Sequence, residues 1–352
     1  MTVKKNPKTG KWYCKFYYKD MYGVNRQKKK EGFRTKSEAE AYVNEFKNKE
    51  SGSVTMTFAS LAEEYLKNCK VMLKPTTYYN KECMVKCKFL PFFGDMPLNE
   101  ITKRHVRKWQ VEMMDPENGY SATYLRNLHS QLNAIFNYAV DNYDLPKNPS
   151  RDAGAMGKKK SNRCKIWQKE DFEQFVEAVS DKEMSKVMFN VLFYSGIREG
   201  ELLALTLRDF DFKNNRINVN KSYARLKGKD LIMLPKTEKS IRKVYMPESV
   251  MKMVQEYSKS LYDYKPTQRL FPTNKRVLLK EMKRGSEISG VEKIRIHDIR
   301  HSHASLLLQM GVTMLEISER LGHEDIKTTL ETYTHLYPNS HSDTAKKLEK
   351  LM

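Results

Sequence analysis

The sequence predicts a multidomain protein that is mainly α-helical and carries small β-sheets. Its 352 residues are enough for two or three domains. Strand-like alternation is concentrated in residues 11–30 and 216–246, whereas helical periodicity fills most of the remaining chain. Linker-like composition around Ser51-Gly52-Ser53 and from Asp144 to Lys160 separates three parts of the chain.

Residues 1–50 predict a small β-sheet with one helix packed on it. Lys11 to Lys19 alternates aromatic and basic residues, and a second basic strand runs through Lys30. Thr35-Lys36-Ser37-Glu38 then opens a helix with capping residues. This part holds 14 Lys and Arg against 6 Asp and Glu, which favours contact of its strands with a DNA major groove over a merely basic surface.

Residues 57–145 predict a helical bundle. Thr76 is the expected N-cap of a helix that runs towards Leu90, and Thr102 caps another helix. The longest helix is expected from Ser121 to Val140, because its apolar residues recur at core spacing. The many lysines and arginines along the bundle fit either an ordinary helical surface or a phosphate-binding face.

After a basic linker predicted at residues 146–166, the composition becomes a mixture of helices and strands. A very apolar helix at Met184–Tyr194 is expected to stop at Ser195-Gly196, and a new helix follows Arg198. A hairpin is predicted from residues 231–237 and 241–246, with Lys236 in its turn.

The stretch from Ile296 to Leu336 holds five of the eight histidines. In a first helix, His297, Arg300 and His301 would share one face, since they are three and four residues apart. A second helix is expected to end at Gly322, which places His323 at its terminus and Tyr333 one short helix later. Imidazoles, a guanidinium and a phenol that converge in this way suit chemistry on a phosphate ester.

A metal-dependent phosphohydrolase is the alternative for this cluster, because His297-Asp298 alone is similar to the HD phosphohydrolases. Such sites usually add several carboxylates as ligands for hard cations. Asp298, Glu324 and Asp325 are the only ones adjacent to the candidate histidines. This shortage favours a reaction without metal.

The amino-acid composition indicates what kind of partner the protein binds and in which cellular compartment it acts. Sixty-four Lys and Arg against 43 Asp and Glu give a net charge of +21, which indicates a polyanionic partner such as nucleic acid. The sequence has no apolar run of membrane-spanning length and no secretory signal pattern, so we expect a soluble, cytoplasmic protein without membrane contact. The five cysteines lack any CxxC pair and are expected to be reduced and structural.

Five short motifs together resemble the tyrosine recombinases, specifically the integrases of temperate phages and conjugative transposons. They occur in that family's order over about 140 residues, and each motif alone would be weak evidence for the family. The motifs are Ser195-Gly196-Ile197-Arg198-x-x-Glu201-Leu202, Leu234-Pro235-Lys236-Thr237, His297-Asp298-Ile299-Arg300-His301, Leu321-Gly322-His323 and Tyr333-Thr334-His335.

The resemblance implies a role for each matching position. Arg198 and Arg300 would clamp the scissile phosphate, Tyr333 would be the nucleophile, and Lys236 would be the lysine on the hairpin. His297 and His323 match the family's remaining catalytic positions, and Glu201 matches a supporting acidic position. Lys239, on the same turn as Lys236, is the alternative lysine. The chemistry of these residues agrees with such roles. A phenol with a pKa of about 10 needs proton transfer or a positive environment to attack, and His297 could accept the proton of Tyr333.

The resemblance also implies the domain roles and the partners. Residues 1–50 would bind arm-type DNA sites, 57–145 core-type sites, and 167–352 would be the mixed α+β catalytic domain, ending in a docking helix at Ser342–Met352. The expected function is site-specific integration or excision of a mobile element, such as a phage or conjugative transposon, through a 3′-phosphotyrosyl link and a Holliday junction. A homotetramer on double-stranded attachment sites would act without cofactor or metal, with an accessory bending protein or excisionase as a further partner in the bacterial cytoplasm.

Two further alternatives remain beside the metal hydrolase. A type IB topoisomerase shares the fold and chemistry of the catalytic domain, but the N-terminal basic module and the chain length favour an integrase. A DNA-binding regulator with an inactive catalytic domain would not need the complete set of catalytic residues.

Overall fold

A computed structural model describes most of the chain: residues 2–7, 9–19, 25–50, 56–157, 165–235, 238–333 and 349. The chain divides into two compact units, residues 1–161 and 162–352, which we call unit 1 and unit 2. Unit 1 contains two separate hydrophobic cores, one formed by the N-terminal sheet and its helix and one by the helical bundle.

The N-terminal part of unit 1 is an antiparallel sheet in the order β1-β2-β3 followed by a helix: β1 (Thr2–Lys5), β2 (Trp12–Lys19), β3 (Asn25–Phe33) and α1 (Lys36–Glu50). The predicted alternation is confirmed, because Cys14 and Phe16 are both buried against α1. Thr35 and Glu38 cap the helix as predicted, and the Thr35 hydroxyl accepts a hydrogen bond from the Glu38 N–H. The sequence did not indicate β1, which is short and largely exposed.

Residues 56–157, the described remainder of unit 1, form a bundle of six α-helices: α2 (Phe58–Met72), α3 (Pro75–Met84), α4 (Leu90–Phe93), α5 (Lys103–Met113), α6 (Ala122–Asn142) and α7 (Pro149–Ala153). Aromatic rings fill its core, with Phe93 packed against both Trp109 and Phe136. Thr102 and Ser121 stand at the N-caps of α5 and α6, as the sequence predicted. The Ser121 hydroxyl accepts a hydrogen bond from the Tyr124 N–H, and the Thr102 N–H donates to Nδ1 of the His105 side chain. Both bonds satisfy N–H groups that a helix end leaves without a partner.

The prediction that Thr76 caps a helix is wrong. That helix begins at Pro75, with Lys74 in the extended cap position, because proline's fixed φ and missing N–H suit the first turn. The helix also does not run unbroken towards Leu90. It ends at Met84, and one π-helical turn, Val85–Phe89, joins it to α4.

Part of the predicted linker is folded against the bundle. Residues 149–153 form α7, which Asn148 caps by accepting hydrogen bonds from the N–H groups of Ser150 and Arg151. The Asn148 amide nitrogen also donates to the Asn137 side chain, 2.7 Å away. Residues 149–153 therefore have the composition of a linker but are held in place by tertiary contacts. Residues 158–164, also in the predicted linker, lie outside the described part of the chain.

The described part of unit 2 has eight helices and two small sheets around a second large core. Its helices are α8 (Lys169–Ala178), α9 (Glu183–Ser195), α10 (Glu199–Leu202), α11 (Glu248–Ser260), α12 (Lys275–Ser289), α13 (Ile296–Gln309), α14 (Met314–Leu321) and α15 (Ile326–Tyr333). Its strands are β4 (Phe210–Asp211), β5 (Arg216–Val219), β6 (Ser222–Leu226), β7 (Lys229–Met233) and β8 (Arg242–Tyr245). Helix α9, apolar on nearly all sides, runs through this core.

The predicted hairpin of residues 231–237 with 241–246 is wrong. β7 pairs instead with β6 across a turn at Lys227-Gly228, and β8 pairs with β5 in the sheet β4-β5-β8. A two-residue turn with positive φ at both positions is the favoured hairpin connection, although this turn was not predicted from the sequence. Residues 234–241 therefore connect two different sheets.

The predicted fold class is confirmed, because the described chain is mainly helical with small antiparallel sheets. None of its described helices combines the length and the apolar character that crossing a membrane requires. The predicted C-terminal docking helix at Ser342–Met352 lies outside the described residues, apart from Glu349.

Candidate active site

Arg300 is the most buried of the predicted site residues that carry a charge, with 3% of its surface exposed. It lies on α13, whose N-terminus is capped by the Asp298 carboxylate, which accepts a hydrogen bond from the backbone N–H of Arg295. Its Nη1 donates to the carbonyl oxygen of Gly196 at 2.7 Å, and its Nη2 donates to that of Leu321 at 2.6 Å. Burial, with the charges of nearby arginines, lowers the pKa of Arg300 to about 9, so the group is still a cation at neutral pH.

Gly196 ends α9 in the left-handed conformation with φ of 66°, as the sequence predicted for this position. A Cβ atom there would lie 2.5 Å from the His303 ring, so glycine is required for both conformation and space. The tight turn places Arg198 at the N-cap of α10. Its Nη1 donates to the Glu201 carboxylate at 2.8 Å, and its Nη2 lies 3.4 Å from the carbonyl oxygen of Gly322.

The carbonyl groups of Leu321 and Gly322 are consecutive in the chain, and each accepts a hydrogen bond from a different arginine. They stand at the end of α14, where the last carbonyls of a helix have no partner within the helix. These carbonyls therefore fix Arg300 and Arg198 in neighbouring positions. The predicted pair of arginines comes together although 102 positions separate them in the sequence.

Glu201 is buried and holds two arginines. Its carboxylate accepts from Arg198 and from Arg242, whose Nη2 lies 2.9 Å away. Burial acts to raise the pKa of Glu201, but the hydrogen bonds and charge of Arg242, with those of Arg198, outweigh it and leave the pKa lowered. The carboxylate is therefore charged at neutral pH and orients Arg198.

Arg242 was not among the site residues predicted from the sequence. Besides Glu201, it donates to the carbonyl oxygens of Ser240 and Arg320, and only 7% of its side chain is exposed. Alternation along β8 places Arg242 on the same face as buried Val244. An arginine on the inward face of a strand was thus the signal that could have identified it.

His323 follows the left-handed C-cap of α14 at Gly322, as predicted. Its Nδ1 lies 2.7 Å from the hydroxyl oxygen of Thr329. Burial, followed by the charges of Arg300 and Arg198, lowers the pKa of His323 to about 4. Its ring is therefore neutral at neutral pH and able to donate a hydrogen bond to an anion.

Tyr333 ends α15 with 1% of its surface exposed, packed beside Ala304 and Leu321. Its hydroxyl oxygen lies 2.6 Å from Nδ1 of His301. The His301 ring in turn meets the ring of His297 edge-on, with centroids 5.1 Å apart. The predicted shared face of α13 is confirmed for these two histidines.

His297 itself is more exposed than its neighbours on α13. Desolvation, followed by the charge of Arg300, lowers the pKa of His297 below its ordinary value. Lys236 lies outside the described residues, as do Thr334 and His335. The alternative Lys239 donates to the carbonyl oxygen of Glu324 at 2.9 Å.

The region carries an excess of positive charge. Hydrogen bonds connect four buried or half-buried guanidiniums to the ends of α9 and α14, those of Arg198, Arg242, Arg300 and Arg320. Among the described residues, Glu201 is the only carboxylate bonded to any of them. Fixed guanidiniums with neutral imidazoles and a phenol beside them can bind a phosphate and stabilise its transition state. Within the same described ranges, no three His, Cys, Asp or Glu side chains are grouped as metal ligands would be.

Three family models match successive parts of the chain. The model described as "Phage integrase family" matches residues 165–340, the "Phage integrase, N-terminal SAM-like domain" matches residues 57–114, and the "Arm DNA-binding domain" matches residues 2–49. The matches follow the order of the three parts that the sequence indicated.

Known relatives and solved structures agree with these models. The ICEBs1 integrase of Bacillus subtilis (strain 168) is 30% identical over 85% of this chain and 84% of its own length. The Tn1549 transposon integrase, solved in complex with circular intermediate DNA, has a TM-score of 0.68 at 21% identity and covers 84% of this chain and 100% of its own. A lambda integrase tetramer, solved bound to a Holliday junction, has a TM-score of 0.59 at 15% identity, covering 92% of this chain and 95% of its own.

Proposed function

Because this chain belongs to the phage integrase family and is a tyrosine recombinase, we propose that it cleaves and rejoins DNA with six catalytic side chains: Arg198, Lys236, His297, Arg300, His323 and Tyr333. The observation that carries the proposal is the anchoring of Arg198 and Arg300 on the consecutive carbonyls of Gly322 and Leu321. Two guanidiniums held rigidly side by side form a clamp for one phosphodiester group.

The clamp addresses the main obstacle to attack on DNA, which is the negative charge of the phosphate. Planar guanidiniums bind phosphate oxygens bidentately, and here they are positioned before the substrate arrives. The pentacoordinate transition state carries more charge on these oxygens than the ground state does, so the clamp stabilises it preferentially. His297 and His323 supply further donors, and Glu201 keeps Arg198 oriented.

Tyr333 is the proposed nucleophile. Its oxygen forms a bond to phosphorus while the bond from phosphorus to the 5′-oxygen breaks, which leaves a 3′-phosphotyrosyl link and a 5′-hydroxyl. Lys236 gives the leaving oxygen its proton. The energy of the broken bond is kept in the phosphotyrosyl link, so rejoining needs no external energy source.

Strand exchange requires several copies of the chain on DNA. We propose a homotetramer that acts through a Holliday junction, since the similar lambda integrase forms a tetramer bound to such a junction. Residues 1–50 would bind arm-type attachment sites and residues 57–145 core-type sites, and the arm DNA-binding model supports the first assignment. The substrate would be the ends of a mobile element, with an accessory bending protein or excisionase as partner, in the bacterial cytoplasm.

Substitution of the nucleophile tests the proposal. Tyr333→Phe removes one oxygen and preserves the buried ring, so folding and site binding should survive. With a nicked suicide substrate in excess chelator, the wild type should become covalently attached to DNA, whereas Tyr333→Phe should form no adduct. Denaturing gels measure the adduct, and proteolysis should place the DNA on the peptide that contains Tyr333.

Two results would contradict the proposal. A covalent adduct that persists in Tyr333→Phe would exclude this nucleophile. Cleavage without any adduct would indicate a hydrolase instead, and cleavage that occurs only when the chelator is omitted would indicate a metal-dependent one.

A further inference from the structure

His301 was part of a sequence motif but received no role, and it contacts the reacting atom proposed for Tyr333. The distance from its Nδ1 to the Tyr333 hydroxyl oxygen is 2.6 Å, within hydrogen-bond reach. Tyr333 is held there by the packing of α15 beside α13 and α14, since its ring is buried next to Ala304 and Leu321. The contact thus joins two well-packed residues.

The neighbours of His301 keep its ring neutral. Burial, then the adjacent His297 ring, lowers the pKa of His301 to about 4, and Asp298 opposes this only in part. At neutral pH the ring therefore has one nitrogen free to accept a proton. The tautomer with its hydrogen on Nε2 presents the Nδ1 lone pair to the phenol.

The other two histidines of the site are placed differently. Nδ1 of His323 lies 2.7 Å from the Thr329 hydroxyl, and the exposed His297 ring packs edge-on against His301. Both remain near the arginines, whose charges contribute to their lowered pKa values. His297 and His323 thus lie near the arginines of the proposed phosphate clamp, whereas His301 contacts the proposed nucleophile.

We infer that His301, rather than His297, is the general base that accepts the Tyr333 proton during attack. The phenolic O–H bond breaks, its proton moves to Nδ1 of His301, and the oxygen's electron pair forms the bond to phosphorus. The bond to the 5′-oxygen breaks at the same time, and Lys236 protonates the leaving oxygen. His301 returns the proton to Tyr333 on rejoining. This inference rests on the proposed nucleophilic role of Tyr333.

Bound DNA would make His301 a better base than it is in the free protein. The charge of Arg300 is one of the influences that lower the pKa of His301. A phosphate between Arg198 and Arg300 offsets this charge, so the imidazolium formed during attack is stabilised only when substrate is present. Premature ionisation of the tyrosine is thereby avoided.

Substitution of His301 by an amide tests the inference. His301→Asn places an amide near the position of Nδ1 but cannot take up a proton, and His301→Gln serves as a second variant. We expect single-turnover adduct formation on the suicide substrate to fall about 100-fold in both. DNA binding by gel shift at matched salt, and the melting temperature, should be unchanged.

A more acidic phenol at position 333 distinguishes two roles for His301, that of a general base and that of a residue that only supports the structure. Replacement of Tyr333 by 3,5-difluorotyrosine lowers the pKa of the phenol, so its attack depends less on a general base. It should raise the cleavage rate of His301→Asn by about tenfold. It should not help Lys236→Ala, which lacks the proton for the leaving oxygen and should instead be rescued by a 5′-bridging phosphorothiolate.

The outcomes distinguish the inference from the function on which it rests. Wild-type cleavage rates in both His301 variants would overturn the inference, and so would slow variants that 3,5-difluorotyrosine does not accelerate. In either case, the proposed function would still stand if Tyr333→Phe formed no covalent adduct with DNA. An adduct that persists in Tyr333→Phe would remove the proposed function itself.

Discussion

Glu201 and Glu281 are both buried carboxylates of unit 2, and each binds two cationic side chains. Around Glu281 the charges balance. Its partners are Lys182 and Arg284, and Arg284 also binds Asp181 through two hydrogen bonds of 2.9 and 3.0 Å. Two cations therefore face two carboxylates.

Around Glu201 the charges do not balance. Arg198 and Arg242 share this one carboxylate, while Arg300 and Arg320 are held by main-chain carbonyls. Carbonyl groups fix the direction of a guanidinium without neutralising its charge. A buried network with balanced charges therefore serves the fold alone, whereas an excess of cations held by carbonyl groups is prepared to bind an anion.

The largest expected difference between the two networks concerns catalysis. Arg300→Lys replaces a planar fork with a point charge that cannot keep the same bonds to Gly196 and Leu321. We expect single-turnover cleavage to fall about 100-fold or more, with DNA binding retained. Arg284→Lys, the same change in the balanced network, should cleave at the wild-type rate. Equal cleavage by the two variants would remove the distinction.

A second difference concerns stability. Glu201→Gln removes the one carboxylate that, among the described residues, is bonded to Arg198 and Arg242, which should lower the free energy of unfolding by about 3 kcal/mol. Glu281→Gln leaves Arg284 paired with Asp181, so its loss should be smaller, about 1.5 kcal/mol. Calorimetry of the full chain, on the transition of unit 2, measures both. A larger loss in Glu281→Gln would show that charge balance is not what separates the networks.

The smallest expected effect is stabilisation by an inorganic anion. Sulfate should occupy the unbalanced network, and at ten times its dissociation constant it should stabilise unit 2 by about 1.4 kcal/mol. Arg198→Gln should lose this gain, and Arg284→Gln should keep it. Thermal melts measure the shift, with sodium chloride at matched ionic strength as reference, because sulfate also acts through exclusion from surfaces. The same gain in all three proteins would mean that no specific anion site exists.

Local features of the site were predictable because they depend on residues close together in the chain. The stops at Gly196 and Gly322 and the helical spacing of His297 and His301 all arise within one or two turns. Backbone sterics and hydrogen bonding determine such features without tertiary contacts. The order of the motifs also indicated the family, which the comparisons confirm. The assignment of catalytic roles stays a prediction.

Other features depended on partners that lie far away in the sequence. β8 pairs with β5 rather than β7, because an isolated strand pattern does not specify its neighbour. Arg242 reaches Glu201 across 41 positions, and Arg300 reaches Gly196 across 104. His301 was visible in a motif, but its contact with Tyr333, 32 positions away, was not.

The sequence by itself thus determined the fold class, the ends of α9 and α14 and the chemical groups available. Only the tertiary structure decided which carbonyl, carboxylate or imidazole each group meets, because those contacts form when α9, α13, α14 and α15 pack together. Side-chain spacing within a helix is a property of the backbone, but the position of one helix relative to another is a property of the shared core.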